Sequence, residues 1–426
     1  MIKPKGISAK LIPGFCSNAY QPRLWAFLST ILIIPGCSSS PLGPVSPAFI
    51  GPDSGDIKFA QALEKIRLKE RLPALASAIV VGGKTRSIAA VGTRLQGTDN
   101  WVKKSDRFLI GSCAKAFTAT LAGILVDQDL LTWETTIKDV FPRMKMLPDY
   151  GGITIGQLLS HRAGFPKNLG EGQSAWAIDY GFDDKRGSLP ESLRRQYVEK
   201  IVQRPLKYPP GKTVHYSNAG YIVAGAMLER VSGKSFESLR QERLFQPLEI
   251  TTAAYGTPPI AERMRQPWGH YWDKSKQAFA KLEGKPPKFL APAGYLSISL
   301  EDWIKFVLAH LDVYPVGHQR LVSANTLNTI HSPPPMETWD INIGFDTNYA
   351  LGWFTNKTND DHLLIWHGGR GLAFNAVMVA DLTSRNAILL VTNADVPHIH
   401  PQYHLLQMVK EIQEYYQTVA PLPGIL

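Results

Sequence analysis

The sequence predicts an α+β fold, in which an antiparallel sheet built from the N- and C-terminal segments is flanked by helices and carries an inserted all-α subdomain. Strand-like runs lie near both ends of the globular part, at Ala74–Val81, Ser87–Val91, Leu363–Trp366, Ala373–Ala380 and Ala387–Thr392. Helical periodicity fills the middle, at Ser112–Leu125, Ile155–Leu159, Leu193–Ile201, Ala219–Val231, Phe236–Leu244 and Trp303–Leu311, and returns at Leu405–Tyr416. Strands at both ends with helices between them favour a sheet that the two ends close together.

Local signals support these elements. The first strand is rich in β-branched and small residues and stops at Gly82-Gly83, a typical strand-and-turn pattern. In the first long helix, Phe117, Leu121 and Ile124 keep the 3.6-residue period of a helix with one apolar face. Prolines at 333–335 mark a loop after the last helix of the middle region.

The first 36 residues have the pattern of an export signal. Four basic residues precede an apolar run over residues 24–34, which leads to Pro35-Gly36-Cys37. The run is too short to span a bilayer comfortably, and the four residues ending at Cys37 resemble a bacterial lipoprotein box. The sequence therefore predicts a signal peptide over 1–36, lipidation of Cys37, a flexible tether over 37–55 and a periplasmic, membrane-anchored protein. A plain signal or a start codon further downstream are the alternatives.

Composition excludes several classes. The chain has 426 residues, 44% hydrophobic and 19% charged, which is ordinary for a globular protein. Three cysteines cannot form a disulfide framework, and no apolar run reaches the ~18 residues of a membrane span. Cleavage of the signal removes four basic residues from a net charge of +10, so the remaining charge does not indicate a nucleic-acid partner.

The first cluster with catalytic potential is Ser112-Cys113-Ala114-Lys115, at the start of a helix. Positions i and i+3 share a helix face, so the Lys115 amine can reach the Ser112 hydroxyl. A serine hydroxyl becomes a good nucleophile when a neighbouring base takes its proton, and a lysine with a lowered pKa can be that base. Taken alone, the pattern also fits a capping serine followed by a solvated lysine.

Two further clusters follow in the chain. In Tyr216-Ser217-Asn218, a phenol can relay protons and an amide can bind a substrate carbonyl, although a helix cap also explains the pattern. In His367-Gly368-Gly369, glycines at a strand edge let a substrate backbone approach closely, although a β-turn with an exposed histidine also fits. The order of the three clusters and the spacing between them constrain the interpretation more than any one cluster does.

Together, the three clusters resemble the serine β-lactamase and penicillin-binding-protein superfamily, and the class C β-lactamase-related branch in particular. Flanking segments that resemble blocks of this family are Ile153–His161, Pro292–Ser297 and Tyr349–Trp353. The resemblance implies a β-lactamase/transpeptidase-like fold and a serine hydrolase domain over 56–420. Within it, the sheet part is expected at about 56–111 and 290–420, and the helical part at about 112–289.

Catalytic roles follow from the resemblance by position. Ser112 corresponds to the acylated nucleophile, Lys115 to its proton acceptor and Tyr216 to the group that passes a proton to the leaving group. Serine, amine and phenol suffice for this chemistry, so neither a metal nor an organic cofactor is implied. Three histidines near the C terminus have no cysteine or acidic partner and are interpreted as surface residues rather than ligands: His398, His400 and His404.

Substrate-binding roles follow in the same way. Asn218 corresponds to the group that holds the substrate amide, and the backbone N–H groups of Ser112 and Arg370 to the oxyanion hole. His367, Gly368 and Gly369 correspond to the edge strand that lines the cleft. Class C β-lactamases typically have Lys-Thr-Gly at this third motif, and the Arg370 side chain would supply the missing charge only if it pointed into the cleft. His161 is interpreted as structural.

The sequence thus predicts an exported serine hydrolase that forms an acyl-enzyme at Ser112 on amide or ester bonds. Its expected partners are a small-molecule or peptide substrate and, through the lipid anchor, a membrane. A D-alanyl-D-alanine carboxypeptidase, a D-amino-acid amidase and an esterase are alternatives with the same chemistry. A penicillin-binding sensor or cell-wall scaffold without turnover is an alternative of another class.

Overall fold

The two ends of the chain meet in one antiparallel sheet. The fold comes from a computed structural model, which describes residues 50–167, 189–257, 265–284, 286–334, 347–358, 360–395 and 401–419. The strands are β1 (Ala74–Val81), β2 (Lys84–Gly92), β3 (Phe108–Leu109), β4 (Ala254–Tyr255), β5 (Gly269–Asp273), β6 (Ala278–Leu282), β7 (Leu296–Ile298), β8 (Asn348–Tyr349), β9 (Phe354–Lys357), β10 (Leu363–Gly371), β11 (Phe374–Asp381) and β12 (Asn386–Thr392).

Helices cover both faces of this sheet and fill the middle of the chain. They are α1 (Ile57–Lys69), α2 (Ala114–Asp127), α3 (Ile137–Val140), α4 (Ile155–Leu159), α5 (Pro190–Ile201), α6 (Asn218–Ser232), α7 (Phe236–Arg240), α8 (Leu300–His310), α9 (Ala324–His331) and α10 (Pro401–Val419). The predicted signal peptide and Cys37 lie outside the described residues, as do His398 and His400. Among the described residues, no helix has the length and apolar character needed to cross a membrane.

The main sheet confirms the predicted architecture. In the described residues its strand order is β2-β1-β12-β11-β10-β9-β8, so β1 lies between β2 and β12, the last strand. Leu75 lies opposite Thr392 in the β1–β12 register, and the Ser77 hydroxyl donates to the Leu389 carbonyl (2.8 Å). The two ends of the chain are therefore joined by adjacent strands inside the sheet.

Side-chain alternation along β11 gives the sheet two buried faces. Val377 and Val379 pack in the cluster that contains Phe59 of α1 and Val409 of α10. Met378, between them, packs in the larger cluster with α2, α8 and the middle helices. The sheet is thus enclosed by helices on both sides, and the larger cluster lies on the side that carries the nucleophile.

The β10 strand has an open edge where the candidate site forms. Its pairing with β9 ends at Trp366, so residues 367–371 are paired only with β11. A short 3₁₀ turn, Gly111–Cys113, lies against this open stretch and leads into α2. A Cβ added to Gly369 would lie 1.9 Å from the Ile110 carbonyl oxygen and 3.0 Å from the Ser112 nitrogen. The absence of a side chain at 369 is what lets the turn and the strand touch.

The middle segment differs in detail from the helical part expected at about 112–289. It also holds β4, which pairs with β7, and the hairpin of β5 and β6. The β4 strand is two residues long and forms through a pairing with a distant segment, which no local periodicity could indicate. The hairpin turn depends on Asp273, whose Oδ1 accepts from the Ser275 (2.9 Å) and Lys276 (3.3 Å) backbone N–H groups.

Candidate active site

The Ser112 hydroxyl stands on a tight turn at the entry to α2. Ser112 is half-buried between Gly111 and Cys113, which are both buried. Gly111 has φ +52°, and a Cβ there would lie 2.4 Å from the Arg370 backbone nitrogen. The Cys113 thiol donates to the His367 carbonyl (3.2 Å), which ties the turn to β10. These contacts fix the nucleophile against the open strand edge.

Lys115 lies one helical turn after the serine, and its ammonium end is fully buried. Lys115 Nζ is 3.0 Å from Ser112 Oγ, 2.8 Å from Asn218 Oδ1 and 2.6 Å from the Ala293 carbonyl oxygen. A neutral amine would donate its two protons to Asn218 and Ala293, which can only accept, and would direct its lone pair at the Ser112 hydroxyl. Burial lowers the pKa of Lys115 well below its ordinary value, and the nearby charge of Lys167 lowers it further.

Tyr216 completes the group around the serine. Its hydroxyl hydrogen bonds with Ser112, and its ring centroid is 4.8 Å from Lys115 Nζ. Burial raises the pKa of the Tyr216 phenol, and the hydrogen bond with Ser112 only partly opposes this. Because burial favours the neutral forms of both groups, the amine can take a proton and the phenol can give one.

The N-terminus of α6 positions Tyr216 and Asn218. Ser217 caps the helix, since its hydroxyl oxygen accepts from the Gly220 N–H (3.1 Å). The same hydroxyl donates to the Pro166 carbonyl (2.7 Å), and the Asn218 N–H donates to the Lys167 carbonyl (2.9 Å). The cap explanation is thus correct for Ser217, while the residues on either side of it face Lys115.

The third cluster lies inside β10, not in a turn. His367 is 1% exposed, its Nε2 lies 3.1 Å from the Tyr349 hydroxyl, and burial lowers its pKa to about 3. The imidazole is therefore neutral and held within the protein. Gly368 and Gly369 continue the strand along the serine turn, so this motif offers the cleft backbone groups and not a cation.

The Arg370 side chain points away from the nucleophile. Residues alternate along a strand, and Gly369 faces the Ser112 turn, so Arg370 extends toward the opposite face. Its guanidinium forms an ion pair with Asp395 (2.5 Å). Arg370 therefore does not supply the charge missing from the third motif, whereas its backbone nitrogen lies beside the nucleophile turn, where the resemblance puts the oxyanion hole.

Comparison with known proteins agrees with this geometry. The sequence model of the Beta-lactamase family matches residues 59–407. The chain belongs to the β-lactamase family. Like other members of that family, it is a serine hydrolase. Within the described residues, no group of three or more His, Cys, Asp or Glu side chains is arranged to hold a metal ion.

The chain is similar to proteins that have several different names. Penicillin-binding protein 4 of Amycolatopsis lactamdurans is 27% identical over 69% of this chain and 74% of its own length. The unguisins hydrolase ungD' of Aspergillus campestris is 26% identical over 74% of this chain, which spans only 58% of that relative. A β-lactamase/D-alanine carboxypeptidase from Pseudomonas syringae has the same fold, with a TM-score of 0.67 and 18% identity over 84% of this chain and 98% of its own.

Sequence reasoning missed the aromatic residues that pack against the Tyr216 ring. His161, interpreted only as structural, has its ring centroid 4.2 Å from that of Tyr216, and its Nδ1 accepts from the Ser217 N–H (3.1 Å). The Tyr349 ring also contacts His161, with a centroid distance of 4.6 Å and an interplanar angle of 41°. His161 and Tyr349 lie in segments that resemble family blocks, but only the fold shows which side chains they contact.

Proposed function

We propose that this chain hydrolyses amide or ester bonds through an acyl-enzyme on Ser112. The observation that carries the proposal is the buried Lys115 amine, 3.0 Å from the Ser112 hydroxyl and hydrogen bonded to two acceptors. Two acceptors and a burial-lowered pKa leave this amine ready to take the serine proton.

The proposed reaction begins when Ser112 Oγ attacks the substrate carbonyl carbon and its proton moves to Lys115 Nζ. The carbonyl oxygen becomes an oxyanion, which the Ser112 and Arg370 backbone N–H groups stabilise. Tyr216 gives its proton to the leaving group as the bond to the carbonyl carbon breaks, and takes the proton held by Lys115. Water then attacks the acyl-enzyme with proton transfers in the reverse direction, which releases the acid and restores the serine.

A class C-related β-lactamase or peptidase is the nearest chemical analogue, but the third motif favours a different substrate. His367 is neutral and Arg370 is turned away, so the cleft lacks the lysine of the Lys-Thr-Gly motif. This favours an esterase, D-amino-acid amidase or carboxypeptidase over an efficient β-lactamase. A relative that is named as an unguisins hydrolase supports hydrolysis as the reaction. A penicillin-binding sensor without turnover is the remaining candidate.

Covalent labelling tests the nucleophile. A fluorescent acylating probe should label the wild type and should fail to label Ser112→Ala, because the variant lacks the hydroxyl that lies 3.0 Å from the Lys115 amine. Ser217→Ala is the matched control, since it removes a neighbouring hydroxyl at a cost of about 1 kcal/mol in helix capping and should still be labelled. Equal labelling of wild type and Ser112→Ala would contradict the assignment.

Turnover of three substrates then separates the candidates. Nitrocefin, a p-nitrophenyl ester and a D-Ala-D-Ala peptide are compared by kcat/KM with the same enzyme preparation. We expect nitrocefin to rank lowest. Labelling without turnover of any of the three would favour the sensor.

We also propose that the protein is exported and anchored by a lipid on Cys37. The support is the basic segment, the short apolar run and the cysteine that follows it. In a bacterial host, a clickable palmitate analogue should label the wild type and not Cys37→Ser, with Cys113→Ser as the control. Labelling of Cys37→Ser at the wild-type level would disprove the anchor.

A further inference from the structure

Tyr295 has an unusual backbone conformation next to the proposed site. Its φ is +64°, in the left-handed region that residues other than glycine, asparagine and aspartate rarely adopt. Neighbouring contacts hold it there. The Ala293 carbonyl accepts from Lys115 (2.6 Å), and the Tyr295 carbonyl accepts from the Gly256 N–H (2.7 Å). A strained residue that the surrounding structure imposes beside a reactive group often has a functional role.

The Tyr295 ring lies against the end of β10. A Cβ added to Gly371 would meet Tyr295 Cε1 at 3.1 Å and Leu109 Cδ2 at 3.2 Å. Gly371 shares a strand face with Gly369, which contacts the Ser112 turn. The half-buried ring therefore stands on the nucleophile's side of the strand, beside an aliphatic side chain and a position without one.

The Tyr295 hydroxyl has no hydrogen-bond partner among the described residues. Burial raises the pKa of this phenol. The neighbouring Tyr255 ring, 6.3 Å away at 64°, instead donates its hydroxyl proton to the Pro287 carbonyl (2.6 Å). Tyr295 is therefore a half-buried ring whose hydroxyl has no partner among the described residues, whereas the Tyr255 hydroxyl has one.

The position of the proton donor along β10 indicates which half of the substrate lies next to Tyr295. Tyr216, the proton donor to the leaving group, has its ring 6.4 Å from that of His367. Gly371 lies four residues further along, which at ~3.3 Å per residue is about 13 Å. The carbonyl bound between the Ser112 and Arg370 nitrogens lies between these ends. The leaving group therefore extends toward His367, and the acyl group extends toward Gly371 and Tyr295.

We propose that Tyr295 and Gly371, which are both partly exposed, form an acyl-group subsite that selects substrates with an aromatic or bulky apolar acyl group. The inference rests on the proposed acyl-enzyme and adds to it the class of acyl group. An aromatic group packed on the Tyr295 ring gains contact area and ring–ring attraction, whereas an acetyl group leaves the subsite empty.

The test compares two esters with one leaving group, p-nitrophenyl phenylacetate and p-nitrophenyl acetate. In Tyr295→Gly, the ratio of their kcat/KM values should fall about tenfold, which corresponds to ~1.4 kcal/mol. Glycine adopts φ +64° without strain, so this variant is expected to fold. Tyr295→Phe keeps the ring and should keep the ratio within about twofold. Gln277→Gly is the matched control, because it replaces another residue of positive φ (+50°) on an exposed hairpin turn and should leave the ratio unchanged.

Three results would overturn the inference. The first is an unchanged ester ratio in Tyr295→Gly, and the second is an equal fall in Gln277→Gly. The third is a change in the ratio between two acetyl esters that differ only in their leaving group, since the ring would then face the other half of the substrate. Mass spectrometry of the wild type separates this failure from that of the proposed function. An acyl adduct on Ser112 with an unchanged ratio refutes the subsite alone, and absence of the adduct refutes both.

Discussion

At the scale of single residues, the site depends on burying an amine and a phenol together. Burial disfavours the charged form of each, so the pKa of Lys115 falls while that of Tyr216 rises. The two pKa shifts favour opposite roles in proton transfer, because a neutral amine accepts a proton and a neutral phenol donates one. The Asn218 and Ala293 oxygens then fix the direction of the amine lone pair.

The pH dependence of acylation should show this amine. The neutral form is active and its fraction rises with pH, so the rate constant for acylation should rise and level off well below the ordinary lysine pKa of 10.5. Lys115→Arg places a permanent cation there and should slow acylation by about 10²–10⁴-fold at pH values where the wild-type rate has levelled off, measured by stopped-flow with an acylating probe. Lys84→Arg, on an exposed strand end, is the control. A wild-type pH profile retained in Lys115→Arg would exclude Lys115 as the base.

Sequence patterns indicated the residues at the centre of the site but not how each is used. Ser112 and Lys115 share a helix face, so their contact follows from spacing alone. The direction of the Arg370 side chain depends on the register of β10 against the serine turn, and only the fold sets that register. The same holds for His161, whose role is decided by the Tyr216 ring beside it.

At the scale of secondary-structure elements, catalysis depends on how closely β10 approaches the Ser112 turn. Gly369 and Gly111 are the positions where backbone meets backbone. The Cys113 thiol adds a hydrogen bond to the His367 carbonyl, across the same junction. The strand and the turn therefore act as one unit that holds both nitrogens of the proposed oxyanion hole.

Gly369→Ala should separate this junction from the rest of the fold. The new methyl group would overlap the Ile110 carbonyl at 1.9 Å, so the turn must move, and acylation should fall by at least about 10²-fold. Overpacking should also lower the free energy of unfolding by about 1–3 kcal/mol, measured by urea denaturation. Gly152→Ala is the control, since nothing lies within 4 Å of its added Cβ. Wild-type acylation in Gly369→Ala would show that the turn and the strand need not touch.

Several elements were predictable from local signals, whereas the bounds or the existence of others were missed. Ala74–Val81 and Ile155–Leu159 have the same bounds in sequence and structure. The helix expected from Ser112 instead begins with a 3₁₀ turn, because Gly111 has a left-handed conformation. The α1 helix was not predicted, although Asp56 caps it by accepting from the Phe59 N–H (3.0 Å). Its apolar residues Phe59, Leu63 and Ile66 have helical spacing, and they are buried against the sheet.

At the scale of the whole molecule, the fold could be predicted because strands with clear patterns occur at both ends of the chain. We retain as a proposal the division into a sheet part at about 56–111 and 290–420 and a helical part at about 112–289. The short strands of the middle segment are separate from the main sheet. The β4 strand pairs with β7 in a small sheet that also contains β3, and β5 pairs with β6 in a hairpin.

The pairing of β1 with β12 has a consequence for how the protein is made. Ser77 and its hydrogen-bond partner Leu389 are 312 residues apart, so β1 and β12 cannot pair until nearly all of the chain has left the ribosome. Until then, β1 and β2 form an isolated hairpin of apolar strands, which is marginally stable at best in water. The high contact order of this arrangement predicts slow folding, and a long interval in which the nascent chain remains available to chaperones.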